Sequence, residues 1–378
     1  MNLNVKLILL LLAFNEVINV EIEFDIVQVP RYYTPLRDDI FIAGSFNNWS
    51  PNHSRYKFNR LSNNLFKLVI DLPQGDHEYK FTRGTWSSGE ANSNGDFMAN
   101  RILKISSNNR QTHLVRIQNW DDFKGGHTAT GNVFILSNNF PYRQFNTTKP
   151  VWIYLPPDYF SSLKSYPVLY MHDGQNLFDN ATSSYGDEWN VDETVERNYF
   201  FGKQTAIVVG LQTKDQRTDE LTPYTHPVRG GGKGDRYVDF LKNDVKPYVD
   251  RNFRTKPGRE FTGLGGSSFG GLMTFYAGMK NQNLFSKLVV FSPSFWFNST
   301  VFELVDSPEV TKYDDTKLYF VCGGMEGDRN MTSNMLKMAD ILSNKGYTNL
   351  AYFVRPDGIH YETFWSQEFP SAFNWLFN

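Results

Sequence analysis

A chain of 378 residues, 40% hydrophobic and 21% charged, has the length of two globular domains and the composition of a soluble one. Its formal net charge of −2 carries no basic bias, which excludes nucleic acid as a partner, since that needs a concentrated positive surface. A single cysteine, Cys322, excludes an intramolecular disulfide, and a chain this long buries enough core without one.

At the N-terminus Lys6 precedes the apolar run Leu7–Phe14, the pattern of a secretory leader. The run is shorter than the roughly 20 apolar residues a bilayer span takes. Residues 1–20 are therefore read as a signal peptide, and the mature protein as secreted, without membrane association. Sequons at Asn48, Asn52, Asn146, Asn180, Asn298 and Asn330 make it a candidate glycoprotein.

Residues 21–119 read as all-β. Short alternating runs recur at Asp39–Ala43, Leu65–Ile70, His77–Thr82 and His113–Ile117, separated by Asn, Ser, Gly and Pro, which predicts a small β-sandwich. Within it lie Gly44-Ser-Phe-Asn-Asn-Trp49-Ser-Pro51 and Leu72-Pro-Gln-Gly75, followed by Tyr79-Lys-Phe81 and Trp86. In these motifs and their order the region resembles the starch- and glycogen-binding modules of carbohydrate-binding families 20 and 48, the latter including the glycogen-binding domain of AMP-activated kinase. The resemblance implies that Trp49 and Trp86 stack on glucose rings and that Lys80 meets sugar hydroxyls, with an α-glucan as partner. Arg83–Glu90 departs from the kinase pattern, and a glycan on Asn48 would adjoin the sugar surface. Trp120-Asp-Asp-Phe-Lys-Gly-Gly-His-Thr-Ala-Thr-Gly131 is polar and glycine-rich and reads as a linker.

From Asn132 the pattern changes. Strand-like runs at Val133–Leu136, Val151–Leu155, Val168–Met171, Ala206–Gly210, Phe261–Gly263, Leu288–Ser292, Leu318–Cys322 and Ala351–Val354 are joined, after the third, by helical patterns. These helices are expected over Val191–Tyr199, Tyr237–Val249, Gly271–Met279, Asn334–Ser343 and Trp365–Phe377. Alternating strands and helices predict a mostly parallel sheet covered on both faces, with the first two strands an antiparallel edge pair. Gly230–Asp235 is not a phosphate loop, because its Lys233 lacks a following Ser or Thr and no strand precedes it.

Gly266-Ser-Ser-Phe-Gly270 sits between a strand and a helix, the nucleophile-elbow pattern of an α/β-hydrolase. A serine at the tip of so sharp a turn tolerates only small residues two positions away. Ser268 is flanked there by Gly266 and Gly270, whereas Ser267 would have bulky Phe269, so Ser268 is the expected nucleophile. A serine needs a base and the base an orienting acid, in the chain order Ser, acid, His. His360 is the histidine that follows Ser268, in a loop between the last strand and the last helix. The acid is expected after Leu318–Cys322, at Glu326, with Asp328 second. Oxyanion donors are expected at the Phe269 N–H and at Gln175 or Asn176 in the loop after the third strand.

Residues 132–378 resemble the esterase family of the esterase D type, with enterochelin esterase and feruloyl esterase relatives. The motifs that carry this are Tyr154–Tyr159, Leu169–Phe178, Gly266–Gly271, Phe291–Trp296 and the His360 loop. The resemblance implies a secreted serine carboxylic-ester hydrolase with a Ser-His-Glu triad and an acyl-enzyme, acting on an ester that is carbohydrate-linked where the module binds. It further implies Asp173, Arg217, Glu220 and Trp296 as pocket residues, although Arg217 and Glu220 are also spaced to pair with each other. A non-catalytic sugar-binding or adhesion protein and an acyltransferase are the competing readings. The chemistry needs no cofactor, and no His, Cys or Asp cluster shows metal-ligand spacing.

Overall fold

The computed structural model describes residues 19–30, 39–61, 65–93, 95–122, 127–327 and 330–378, and it divides into two compact units. Residues 1–18, where most of the expected leader falls, and Asp328, the second choice for the acid, lie outside the described residues.

The first unit contains β1 Asn19–Gln28, β2 Phe41–Gly44, β3 Asn59–Arg60, β4 Phe66–Pro73, β5 Gly75–Thr82, β6 Glu90–Ala91, β7 Arg101–Ile105, β8 Gln111–Arg116 and β9 Asn119–Trp120. One sheet runs β3-β4-β1-β8, another β2-β5-β7, and β6-β9 form a short pair. Along β4, Phe66, Leu68, Ile70 and Leu72 are buried while Val69 and Asp71 are exposed, the period of two that a half-buried strand requires. Phe24 of β1 meets Tyr79 and Phe81 of β5 edge-on, with ring centroids 5.5 and 6.5 Å apart, so the two larger sheets face each other across one core. β1 was not among the expected strands. It starts at Asn19, inside the stretch read as leader, and pairs Asn19 and Val20 with Pro73 and Leu72.

The stretch 120–131 is not a free linker in its described part. Trp120 is fully buried in β9, paired with Glu90, because an indole this large gains more from the core than from water. At the other end, His127 lies with Nδ1 2.7 Å from Asp179 Oδ2, inside the second unit.

The second unit holds one eight-stranded sheet: β10 Val133–Tyr142, β11 Thr147–Tyr154, β12 Val168–His172, β13 Ile207–Leu211, β14 Thr262–Ser267, β15 Lys287–Phe291, β16 Lys317–Gly323 and β17 Leu350–Arg355. Its helices are α1 Val191–Phe200, α2 Arg217–Leu221, α3 Gly234–Phe240, α4 Lys246–Asn252, α5 Phe269–Lys280, α6 Met331–Asn344 and α7 Glu362–Phe377. The sheet order is β10-β11-β13-β12-β14-β15-β16-β17. β10 and β11 pair antiparallel, as do β11 and β13, and every later pairing is parallel. This is the α/β-hydrolase arrangement. β12, β13 and β14 are buried at every position, as strands covered on both faces must be. The helix expected over Tyr237–Val249 is interrupted by a π-helical turn at Leu241–Val245. Pro247 follows it, and a proline lacks the N–H and crowds the preceding turn, so the backbone widens there. No helix among the described residues is long and apolar enough to cross a membrane.

Candidate active site

Ser268 lies between β14 and α5 with φ 58° and ψ −121°. Its N–H donates to the Phe291 carbonyl, and its own carbonyl accepts from the N–H groups of Leu272 and Ser294, each at 3.0 Å. The backbone around the turn is so close-packed that a Cβ on Gly266 would lie 2.9 Å from the carbonyl carbon of Gly270. Ser267 instead ends the buried strand β14. Phe269 opens α5, and the first N–H groups of a helix have no intrahelical acceptor, so its amide is available next to the serine.

The loop after β16 supplies Glu326, whose side chain is 2% exposed. Its Oε1 accepts from the Gly323 N–H at 2.7 Å and from the Ser292 hydroxyl at 2.5 Å. Its Oε2 lies 3.2 Å from Nδ1 of His360, in the loop after β17. A ring whose Nδ1–H donates to a carboxylate keeps Nε2 as its basic nitrogen. Trp365 of α7 completes the support: its Nε1–H donates to Ser292 Oγ at 2.9 Å, and its ring stands edge-on to His360 at 5.0 Å. Ser268 Oγ itself lies 3.3 Å from Ser294 Oγ. Neither Ser292 nor Ser294 nor Trp365 had been singled out as a site residue. Their signal was position, since Ser292 and Ser294 follow the strand beside the nucleophile strand.

A cavity of about 340 Å³ brings Ser268 and His360 together with Asp173, Gln175, Arg217 and Glu362. A larger cavity of about 660 Å³, bounded by Phe140, Arg143, Asp244 and Arg251, carries no serine–histidine pair and stands apart from this chemistry. Asp173 follows β12 with φ 54°, and a Cβ on the next residue, Gly174, would meet the Gly210 backbone of β13 at 2.5 Å. The loop thus lies flat on the sheet. Arg217 clamps Asp173 with two hydrogen bonds of 2.8 Å, and the Thr213 hydroxyl adds a third. Burial opposes the charge on Asp173, but Arg217 and these hydrogen bonds prevail and hold its pKa below the ordinary value. Arg217 therefore does not pair with Glu220, which forms a buried ion pair with Lys149 at 2.7 Å. Trp296 is not in the cavity wall either; the turn Phe295–Phe297 that follows Ser294 packs it against the Phe269 ring, centroids 6.2 Å apart.

Of the two amides proposed for the oxyanion, that of Asn176 already donates to the Asp173 carbonyl at 2.8 Å, which leaves Gln175. The Asn176 side chain is a brace: Oδ1 accepts from the Ser184 N–H at 2.9 Å, and Nδ2 donates to Glu362 Oε1 at 3.1 Å. Burial raises the Glu362 carboxyl to about 7.

In the first unit, Asn48 and Trp49 both have left-handed backbones, φ 54° and 56°. Trp49 lies beside Trp86, centroids 6.2 Å apart and planes inclined at 46°, and Trp86 is 44% exposed. Lys80 Nζ stands 4.2 Å over the ring of Phe97, an exposed aromatic that sequence reading passed over.

Residues 143–376 match the family model described as "Putative esterase", and residues 36–96 match that of the glycogen recognition site of AMP-activated protein kinase. The chain is 23% identical over 239 residues to the uncharacterized protein YbbA of Bacillus subtilis (strain 168), covering 60% of this chain and 91% of that one. It is 32% identical over 142 residues to the siderophore triacetylfusarinine C esterase of Aspergillus fumigatus, covering 35% of this chain and 46% of that one. Among solved structures the BES protein from Bacillus cereus is similar in fold, with a TM-score of 0.55 at 19% identity, over 68% of this chain and 98% of that chain.

Proposed function

We propose, since this chain belongs to that esterase family, that it hydrolyses carboxylic esters through an acyl-enzyme on Ser268. One observation carries the reading: a single cavity holds Ser268, at its sharp turn, and His360, paired at Nδ1 with the buried Glu326. Ser268 Oγ attacks the ester carbonyl carbon while His360 Nε2 takes its proton, and Glu326 stabilises the imidazolium. The tetrahedral oxyanion sits between the N–H groups of Phe269 and Gln175, donors typically worth about 3–4 kcal/mol of barrier each. The proton then passes from His360 to the leaving alcohol oxygen. Water, deprotonated by His360, attacks the acyl carbon, and His360 then returns that proton to Ser268 Oγ as the acyl–Oγ bond breaks and the acid leaves.

The match to a glycogen recognition site supports a glucan-binding role for the first unit, with Trp49 and Trp86 as its sugar-facing rings. An ester carried on a polysaccharide is then the substrate class that uses both units. The leader-like Lys6–Phe14 supports secretion.

The test is active-site labelling. A fluorophosphonate should attach to Ser268, and Ser268→Ala should lower aryl-ester turnover by on the order of 10⁶. Label on Ser267, or turnover near wild type in Ser268→Ala, overturns the assignment. No label anywhere, with glycogen binding retained, points to a sugar-binding protein on a hydrolase fold.

A further inference from the structure

A second group of ionisable side chains takes no part in this chemistry. Glu188, Asp192 and Glu193 each place a carboxylate oxygen within 4.8 Å of the others. Asp192 is fully buried and Glu188 is 3% exposed. Each has one oxygen committed: the Thr128 hydroxyl donates to Glu188 Oε1, and the Thr130 N–H donates to Asp192 Oδ2 at 2.7 Å. The remaining oxygens, Glu188 Oε2, Asp192 Oδ1 and Glu193 Oε2, are buried with no hydrogen-bond partner, and so is Thr130 Oγ1. A separate element adds to this. Tyr154 of β11 is fully buried, its hydroxyl has no partner, and the charges it feels are those of Glu196, Asp192, Asp158 and Glu193.

Buried carboxylates are strongly disfavoured unless something positive meets them. Arg197, one turn along α1, acts on Glu193 from a distance, but among the described residues no lysine or arginine forms an ion pair with any of the three. The start of α1 favours negative charge at Asp192 and Glu193, yet a helix terminus does not reach all three unpartnered oxygens. A proton shared between Asp192 and Glu193 satisfies two oxygens, and the Asn180 N–H also acts on the Glu188 carboxylate, yet among the described residues no cation meets the three acids.

We propose that Glu188, Asp192 and Glu193, with the Thr130 hydroxyl, form a binding site for a hard divalent cation of calcium size. The donors are all oxygen, which selects a hard ion over a transition metal. Oxygens on opposite sides of calcium, at about 2.3–2.6 Å from it, stand roughly 5 Å apart, so a spread of up to 4.8 Å fits. Magnesium sheds its water reluctantly and keeps several waters, so a cage made of buried protein oxygens suits calcium better. The spacing i, i+4 and i+5 is no metal-ligand signature in sequence; only the turn into α1 gathers the three acids. The ion ties His127–Thr130 to α1 and to the loop that ends at Glu188. That same loop carries Gln175, Asn176, Ser184 and Tyr185 of the catalytic cavity, so the ion braces the wall without touching the reacting atoms.

The experiment uses the full chain, stripped with EDTA and titrated calorimetrically with Ca²⁺ and separately with Mg²⁺, with bound metal counted by elemental analysis. One Ca²⁺ per chain is expected, with a higher melting temperature than in EDTA. Glu188→Gln and Glu193→Gln should each weaken Ca²⁺ binding on the order of tenfold or more. Glu193 is the least buried of the three, so its variant keeps the test alive if Glu188→Gln does not fold. No binding at millimolar Ca²⁺, a preference for Mg²⁺, or affinity unchanged in Glu193→Gln overturns the proposal. So does a Glu193→Gln protein in EDTA that melts where the wild type melts with Ca²⁺, the behaviour of a shared proton.

Discussion

Two residues beyond His360, the carboxyl of Glu362 faces the cavity almost without solvent, 3% exposed. Burial first, and the Asp173 charge after it, raise its pKa from 4.5 to about 7, against the help its own backbone N–H gives the charged form. A carboxyl raised in the folded state is protonated there while the unfolded chain has already ionised. Its contribution to stability is therefore present in full below about pH 4.5 and is lost as pH rises through about 7. Glu362→Gln preserves the acceptor for Asn176 Nδ2 and removes the ionisation. We expect the variant to match wild type near pH 4 and to be more stable near pH 8 by about 1–3 kcal/mol. Thermal melts at the two pH values check this, and parallel curves for the two proteins would show that Glu362 ionises normally. Ser268, His360 and Glu326 could be named as candidates from sequence because local glycine spacing and chain order constrain them. Glu362 could not, because its character comes from Asn176 and Asp173, nearly 190 positions away in the chain yet adjacent in the cavity.

At the scale of elements, the elbow depends on how closely β14 and α5 approach. A Cβ on Gly266 meets the Gly270 backbone at 2.9 Å, and backbone cannot move aside there without shifting Ser268. A Cβ on Gly270 meets the Asp173 Oδ2 and the His172 side chain at 3.3 Å, a tighter fit than usual but against side chains. Gly266→Ala should therefore lose roughly 2–3 kcal/mol and most fluorophosphonate reactivity, and Gly270→Ala about 1 kcal/mol with labelling retained. Denaturant melts and labelling rates decide, and the opposite ranking would mean that the turn yields on its strand side. The elbow was legible because sterics restrict residue types within a few positions. The order β13-β12-β14 was not, since periodicity marks strands without saying which ones pair. Yet that order sets Asp173, after β12, beside Ser268. Strand β1 was missed for a different reason: part of it is shared with the apolar N-terminal stretch, so two readings competed for the same residues.

For the molecule as a whole, the question is whether two units make one function. The first unit presents Trp49 and Trp86, inclined at 46°, and Lys80 of β5 over the ring of Phe97. Indole faces suit the apolar C–H faces of sugar rings, and each such contact is modest, so affinity for a polymer comes from several together. If the first unit binds such a polymer, covalent connection would raise the effective concentration of its esters at Ser268 to about millimolar, with no new contact in the catalytic cavity. Turnover of a small soluble ester takes nothing from this. Trp49→Ala and Trp86→Ala should leave aryl-ester turnover unchanged, release the protein from glycogen or amylose, and lower hydrolysis of an esterified polysaccharide by on the order of tenfold or more. Retention on glycogen can be read in the Ser268→Ala protein, which separates binding from catalysis. If the tryptophan variants lose small-ester turnover and no polysaccharide affinity is measurable in the parent, the first unit supports the fold of the second and does not tether it. The esterase assignment survives that result, because it rests on the cavity that holds Ser268 and His360.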